Sequence, residues 1–212
     1  MIEWSIDAFR ACESVASIVA AVPPGHPHDL SGHDVGVVAG GATRAQSVAS
    51  ALAAVDTELV AIHDAARPLL TSELVEDLIE CLASTPEAAG VIAAAPVTDT
   101  IKRVAELGRE TRGAFDTRRV PNALLVEQTL DRSLLWAAQT PQVFRAGALR
   151  AALDLDPEAR DAATDEAMLV EAAGGTVLLH PVTAENLKVT TPLDLRVAAL
   201  LLAERGSGSV PE

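Results

Sequence analysis

The chain has 212 residues, a formal charge of −14 and only 2% aromatic residues. That length suits one domain, with or without an appendage, and the 49% apolar content supplies a core that must be built from Ala, Val, Leu and Ile. The charge argues against broad nucleic-acid binding, which needs a basic face, but not against a small anionic ligand held by a few local cations.

Ile2, Ile6 and Phe9 follow a helical spacing, so the chain opens inside a helix. Glu3, Asp7 and Arg10 interrupt its apolar pattern, which excludes a secretory signal, and no later run is long enough to span a bilayer. Ser17 to Val22 reads as a buried strand closed by Pro23-Pro24-Gly25. The loop that follows carries His26, His28 and His33. With no Cys or carboxylate cluster beside them, they read as a solvated loop rather than a zinc site. Val35 to Val38 is a second strand, Gly40-Gly41 a turn, and Thr43 the cap of a helix to about Ala54. Leu59 to Ile62 is a third strand. Ser72 caps a helix to about Ser84, and Gly90 to Ala95 is a fourth strand. Cys12 and Cys81 lack CxxC spacing and read as small thiols of a reducing, cytoplasmic compartment.

The pattern changes after Pro96. Val97 to Val104 and Leu124 to Leu130 both alternate, which predicts two antiparallel strands of a protruding arm at about 97–133. Its polar tip, Ala105 to Ala123, carries four arginines and reads as a flexible loop. Leu134 to Phe144 returns to the main sheet. Helices follow at about Ala146–Leu153 and Asp165–Ala173, then short strands at Thr176–His180 and Leu187–Val189. A last helix runs from Pro192 to about Glu204, and 206–212 is a frayed tail. The fold class is therefore α/β: a mostly parallel twisted sheet with helices on both faces, plus a β-arm.

Ligands of open parallel sheets bind beyond the carboxyl ends of strands, and the polar clusters lie at such ends. Gly40 and Gly41 admit close backbone approach, while Arg44 and Ser47, one helical turn apart, can face one point. Alone, that segment is also an ordinary β–α turn. Asp64, after the third strand, can hold Mg²⁺ or a ribose hydroxyl, and Arg67 can hold a phosphate through paired hydrogen bonds. Thr100 and Lys102 open the arm, and Arg132 and Thr140 follow it. The chain has two lysines only, Lys102 and Lys188, and Lys188 precedes the last helix.

The stretches GGATRAQSV, VAIHDAARPLL, APVTDTIKRV, TLDRSLLWAAQTPQVF, TDEAMLVEAAGG and ENLKVTTPLDL, in this order, resemble the 2-C-methyl-D-erythritol 4-phosphate cytidylyltransferase family of non-mevalonate isoprenoid synthesis. The resemblance runs from Met1 to about Arg205. It implies a Rossmann-like nucleotidyltransferase that joins CTP to methylerythritol phosphate and releases pyrophosphate, with Mg²⁺ as cofactor. It places Gly40, Gly41, Arg44 and Ser47 at the nucleotide, Asp64 near the metal and both substrates, and Lys188 at the nucleotide phosphates. Arg67, Thr100, Arg132 and Thr140 would hold the acceptor. Catalysis would rest on Lys188, Asp64 and Arg132. In the family the arm clasps a second subunit, which implies a homodimer. A sister activity on ribitol 5-phosphate, or a non-catalytic dimeric homologue, are the alternative readings.

Two departures from the family pattern stand out. The family begins with a strand, a glycine-rich A-A-G-x-G-x-R loop and a P-K pair that cradle the triphosphate. None is present here, a difference of roughly 30–40 residues, about one βα unit. The missing strand is central in this fold, so a gap between its neighbours is expected, and the chain as it stands is expected to be catalytically impaired. A start placed at an internal methionine is favoured over a shortened paralogue, because the other substrate residues remain. The arm tip is also longer than usual.

Overall fold

A computed structural model describes residues 1–25, 30, 32–105, 124–154, 157–183 and 185–206. His26, His28, the arm tip beyond Ala105 and the tail 207–212 lie outside the described residues. The chain forms two compact units, one of Met1–Ala94 with Ala138–Glu212 and one of Ala95–Ala137.

Helix α1 (Ile2–Arg10) buries Ser5 and Ile6. Strand β1 (Val19–Val22) pairs in parallel with β2 (Gly36–Ala39), Val19 opposite Gly36 and Val22 opposite Ala39. Helix α2 (Arg44–Leu52) begins where the sequence places it: the Thr43 hydroxyl accepts the Gln46 N–H at 3.2 Å. Strand β3 is Leu59–Ile62. Helix α3 (Ser72–Ala83) is capped one residue earlier than expected, by Thr71, whose hydroxyl accepts the Leu74 N–H at 3.3 Å. Thr71 has the extended backbone that a cap requires, whereas Ser72 is already helical.

Strand β4 (Gly90–Pro96) leads into the second unit, where β5 (Lys102–Val104) pairs antiparallel with β6 (Val126–Thr129). The expected strand from Val97 is thus only its last three residues. The chain bends at Asp99, and the pairing of β5 with β6 extends one step further through Leu130 N–H to the Ile101 carbonyl at 3.0 Å. A 3₁₀ turn (Arg132–Leu134) precedes β7 (Trp136–Arg145). Helices α4 (Ala146–Leu153), α5 (Pro157–Ala162) and α6 (Glu166–Ala172), strand β8 (Val177–Pro181) and helix α7 (Pro192–Gly206) complete the chain. The sequence reading contains no counterpart of α5. Leu187–Val189 is not a strand: Val189 N–H makes a single bond to the Ala66 carbonyl at 2.7 Å, with no ladder beside it.

The sheet is less parallel than expected and is not continuous. β1 and β2 stand as one two-stranded sheet, and β3-β7-β4-β8 as another. β4 and β8 run parallel, but β3 and β7 antiparallel, because β7 returns from the arm instead of from a crossover helix.

Alternation along β4 and β7 builds the core on two faces. Ile92 and Phe144 point to α2, α4 and α6, where they pack with Leu52, Leu149, Leu153 and Leu169. Val91, Ala93 and Val143 point the other way, onto Leu78 and Leu82 of α3. Gly90 lies under the Phe144 ring, and a Cβ there would sit 2.3 Å from Phe144 Cδ1. Phe144 is fully buried and has nowhere to move. Gly90→Ala is therefore expected to destabilise the fold by about 1–3 kcal/mol, measured as a lower midpoint in urea with an unchanged slope.

Candidate active site

The polar residues of the first unit gather beyond the carboxyl end of β3, where the chain leaves the core and backbone groups need new partners. Asp64 follows His63 there. Its Oδ2 accepts from Lys188 Nζ at 2.8 Å and its Oδ1 from Arg44 Nε at 3.3 Å. Arg44 NH1 also donates to Glu166, a carboxylate at the start of α6 that is only 1% exposed. Four elements are tied by one row of alternating charges: Glu166, Arg44, Asp64, Lys188. Burial alone would push Asp64 toward protonation, but the hydrogen bond from Lys188 and the charge of Arg44 outweigh it and hold its pKa below the usual value. Burial raises the Glu166 pKa, with Arg44 opposing the rise. For Arg44, burial is outweighed by Glu166 and Asp64, and the pKa rises. The row ends in solvent: the side chain of Asp64 is 17% exposed and that of Lys188 is 44% exposed.

A second network lies under Asp64. Its backbone N–H donates to Thr140 Oγ1 at 3.0 Å, Thr140 Oγ1 lies 3.1 Å from His63 Nδ1, and His63 Nε2 lies 3.0 Å from the Arg67 carbonyl. The carbonyl can only accept, so Nε2 carries the proton and Nδ1 accepts from the Thr140 hydroxyl. Burial drives the His63 pKa down to about 4, in keeping with that neutral tautomer. Asn186 Nδ2 donates to the Thr140 carbonyl at 2.8 Å, and the Asn186 carbonyl accepts from Arg67 NH1 at 2.7 Å. Arg67 and Thr140 are thus buried, with side chains turned into the protein.

The Gly40–Ser47 segment is held by its own side chains. Ser47 Oγ accepts the Gly41 N–H at 3.1 Å and donates to the Thr43 carbonyl at 3.0 Å. Gln46 Oε1 accepts the Ala42 N–H at 3.0 Å, and its Nε2 donates to Asp161 of α5 at 2.9 Å. A Cβ on Gly41 would lie 2.2 Å from Gln46 Cβ, so glycine is required for the turn to fold against its own helix. The backbone that follows Lys188 is fixed by Asp194. Asp194 accepts from the Thr190 and Thr191 N–H groups at 2.9 and 2.8 Å, while its own N–H donates to Thr191 Oγ1 at 3.2 Å. This capping box fixes the start of α7, and the backbone donors bring the Asp194 pKa down to about 2.

The structure therefore brings together Gly40, Gly41, Arg44, Ser47, Asp64, Arg67, Thr140 and Lys188. Thr100, Lys102 and Arg132 belong to the second unit. There Lys102 Nζ donates to Thr129 Oγ1 at 2.7 Å and Arg132 NH1 donates to the Thr98 carbonyl. Glu166 and Asp161 are absent from the sequence-based site. A carboxylate on the face of α6 that also carries Leu169 and Val170 is the signal that marks Glu166. Among the described residues, no group of three or more His, Cys, Asp or Glu side chains could hold a metal, and no helix is long and apolar enough to cross a membrane.

His63 gives the network a pH dependence. Its ordinary pKa is 6.5, and the folded chain holds it near 4. Between these values the unfolded chain binds the extra proton, so stability is full above about pH 6.5 and falls as pH drops toward 4. In His63→Gln that portion of the slope is expected to vanish, as read from urea midpoints between pH 4 and 7.

The family described as 2-C-methyl-D-erythritol 4-phosphate cytidylyltransferase matches residues 1–204. The chain is 40% identical over 206 residues to the Bordetella petrii protein named 2-C-methyl-D-erythritol 4-phosphate cytidylyltransferase, covering 93% of this chain and 83% of that one. It is 43% identical to a bifunctional enzyme IspD/IspF of Anaeromyxobacter dehalogenans, of which it spans only 49% while 93% of this chain is covered. The crystal structure of the Thermus thermophilus 2-C-methyl-D-erythritol 4-phosphate cytidylyltransferase superposes with a TM-score of 0.77 at 32% identity, covering 95% of this chain and 88% of that chain. By its sequence over nearly its whole length, by its fold and by the order of its motifs, the chain belongs to the 2-C-methyl-D-erythritol 4-phosphate cytidylyltransferase family.

Proposed function

We propose that this chain transfers a cytidylyl group from CTP to 2-C-methyl-D-erythritol 4-phosphate. The observation that carries this reading is the row Glu166, Arg44, Asp64, Lys188, which sets two cations and one mostly buried carboxylate with an edge open to solvent near the Gly41 turn. An oxygen of the acceptor phosphate attacks the α-phosphorus of CTP. A new P–O bond forms, the α–β bridging bond breaks, and pyrophosphate leaves with its electron pair. The attacking group is already anionic, so no general base is needed. The protein's work is placement and charge neutralisation.

Lys188, the most exposed member of the row, meets the nucleotide phosphates. Asp64 holds it there through their 2.8 Å ion pair. Arg44 and the backbone of the Gly41 turn meet the nucleotide. Arg132 and Thr100 of the arm serve the acceptor. Arg67 and Thr140, with buried side chains, act by fixing Asp64 and Asn186. One accessible carboxylate suits a Mg²⁺ that arrives on the triphosphate and keeps several waters. Asp64 would hold that ion, whose role is to neutralise charge on the phosphates.

The test is calorimetric titration of CTP together with pyrophosphate release, using methylerythritol phosphate and, in competition, ribitol 5-phosphate. CTP binding with slow release that favours methylerythritol phosphate is expected of the 212-residue chain. Absence of both CTP binding and pyrophosphate release would overturn the reading. Lys188→Ala is expected to leave the fold intact and to lower turnover by roughly two orders of magnitude. Lys102→Ala should do far less, since Lys102 is engaged with Thr129.

The arm supports a homodimer as part of the same proposal. Every residue of β5 and β6 is exposed, and Leu124, Val126 and Leu134 present 51–80% of their surface to solvent. An isolated two-stranded ribbon is marginal in water and gains by covering such side chains. Sedimentation at micromolar concentration is expected to show a dimer, and Leu134→Glu a monomer.

A further inference from the structure

Helix α5 carries no large apolar side chain, and a helix of six residues is not stable alone in water. It meets α2. Its Asp161 lies across the start of that helix: Oδ2 accepts from Gln46 Nε2 at 2.9 Å and Oδ1 from Thr43 Oγ1 at 3.4 Å. The helix dipole favours a carboxylate there. Hydrogen bonds from Arg160 and Gln46 hold the Asp161 pKa below its usual value, so its side chain is an acceptor only.

Gln46 carries this contact into the Gly41 turn. Its Oε1 accepts the Ala42 N–H at 3.0 Å while its Nε2 is spent on Asp161. The reverse orientation would set donor against donor at Ala42 and acceptor against acceptor at Asp161, so Asp161 fixes which end of the amide meets the backbone. Ser47 Oγ takes the Gly41 N–H at 3.1 Å. Both donors of the turn are therefore occupied. A trans peptide points its carbonyl opposite its N–H, and neither peptide here is cis. The Gly40 and Gly41 carbonyls thus point away from α2, and among the described residues no backbone N–H meets either one. Gly41 and Ala42 are exposed. The turn offers acceptors to a ligand and withholds its donors.

Pyrimidine bases differ in that polarity. Cytosine carries an exocyclic amino donor where uracil carries a carbonyl acceptor. We propose that Gln46 and Asp161 are positioning residues for the choice of base. They act through the backbone and not by touching the nucleotide. Asp161 orients Gln46, Gln46 holds the Gly41–Ala42 peptide, and the outward carbonyls take cytosine and turn uracil away. The inference rests on the reading of the chain as a CTP enzyme and names the residues behind its preference. The start of α2 does not depend on this link, since Thr43 already caps it through the Gln46 N–H. Without the link, the Gly41–Ala42 peptide is free to turn its N–H outward, where the carbonyl of uracil is met as readily as the amino group of cytosine.

CTP and UTP share sugar and triphosphate, so the ratio of their dissociation constants reads the base alone. Calorimetric titration of the 212-residue chain with each is expected to favour CTP by roughly tenfold or more. Asp161→Ala and Gln46→Ala should each shrink that ratio by roughly fivefold, with thermal midpoints close to that of the parent. Gln46→Glu combined with Asp161→Asn reverses donor and acceptor across the contact and should restore the ratio. Gln46→Glu alone sets two carboxylates together and should not. The restoring pair keeps α5 in contact and carries the test even if Asp161→Ala fails to fold. Lys188→Ala is expected to weaken both nucleotides alike. Variants that weaken CTP and UTP equally, or that leave the ratio within about twofold of the parent, would overturn the proposal and leave Asp161 a clamp on α5. So would a parent chain that binds CTP and UTP equally well. A parent that binds neither would remove the CTP reading itself, and this inference with it.

Discussion

A buried carboxylate sets the terms for this protein. Glu166 is 1% exposed, and leaving it unpaired would cost several kcal/mol. Arg44 reaches it from α2 and is stretched between Glu166 and Asp64. The position of Asp64 in turn follows from the Thr140 hydroxyl beneath it, and Lys188 follows from Asp64. Remove the buried charge and Arg44 has only half its reason to point inward. The site is therefore part of the packing between α2, α6, the end of β3 and the start of α7, and not a set of groups laid on a finished surface.

Local physics was readable wherever a short-range rule decides the outcome. Thr43 caps α2, and β3 spans Leu59–Ile62 as its apolar run implies. The one-residue error at Ser72 arose because Thr71 and Ser72 are both good caps, and only backbone angles separate them. Leu187–Val189 has strand composition, but a strand needs a ladder, and composition cannot say whether an edge is free nearby. The antiparallel return of β7 depends on the arm, whose effect on chain direction lies beyond any window of sequence.

The site was legible in residue type more than in role. Asp64 and Lys188 stand together, 124 residues apart in sequence. Arg67 reads as a phosphate ligand because a guanidinium can make paired hydrogen bonds to a phosphate. Here its guanidinium donates to the Asn186 carbonyl, which ties the Asp64 turn to the Lys188 segment. Nothing local distinguishes an arginine that faces a ligand from one that faces a backbone oxygen. Glu166 is inconspicuous for the opposite reason: charged residues at helix starts are common on surfaces, and only its apolar neighbours on α6 betray its burial.

The division of β4 between two cores has a consequence for how this chain can change. Val91 and Ala93 fill the space under α3, while Ile92 fills the space under α4 and α6. A slip of one residue would swap these sets, pressing Ile into a pocket shaped for Ala and leaving a void on the opposite face. Insertions or deletions within β4 are thereby forbidden, whereas the segment just beyond it, outside the first unit, escapes the constraint. Length variation in the arm therefore leaves the register of β4 unchanged.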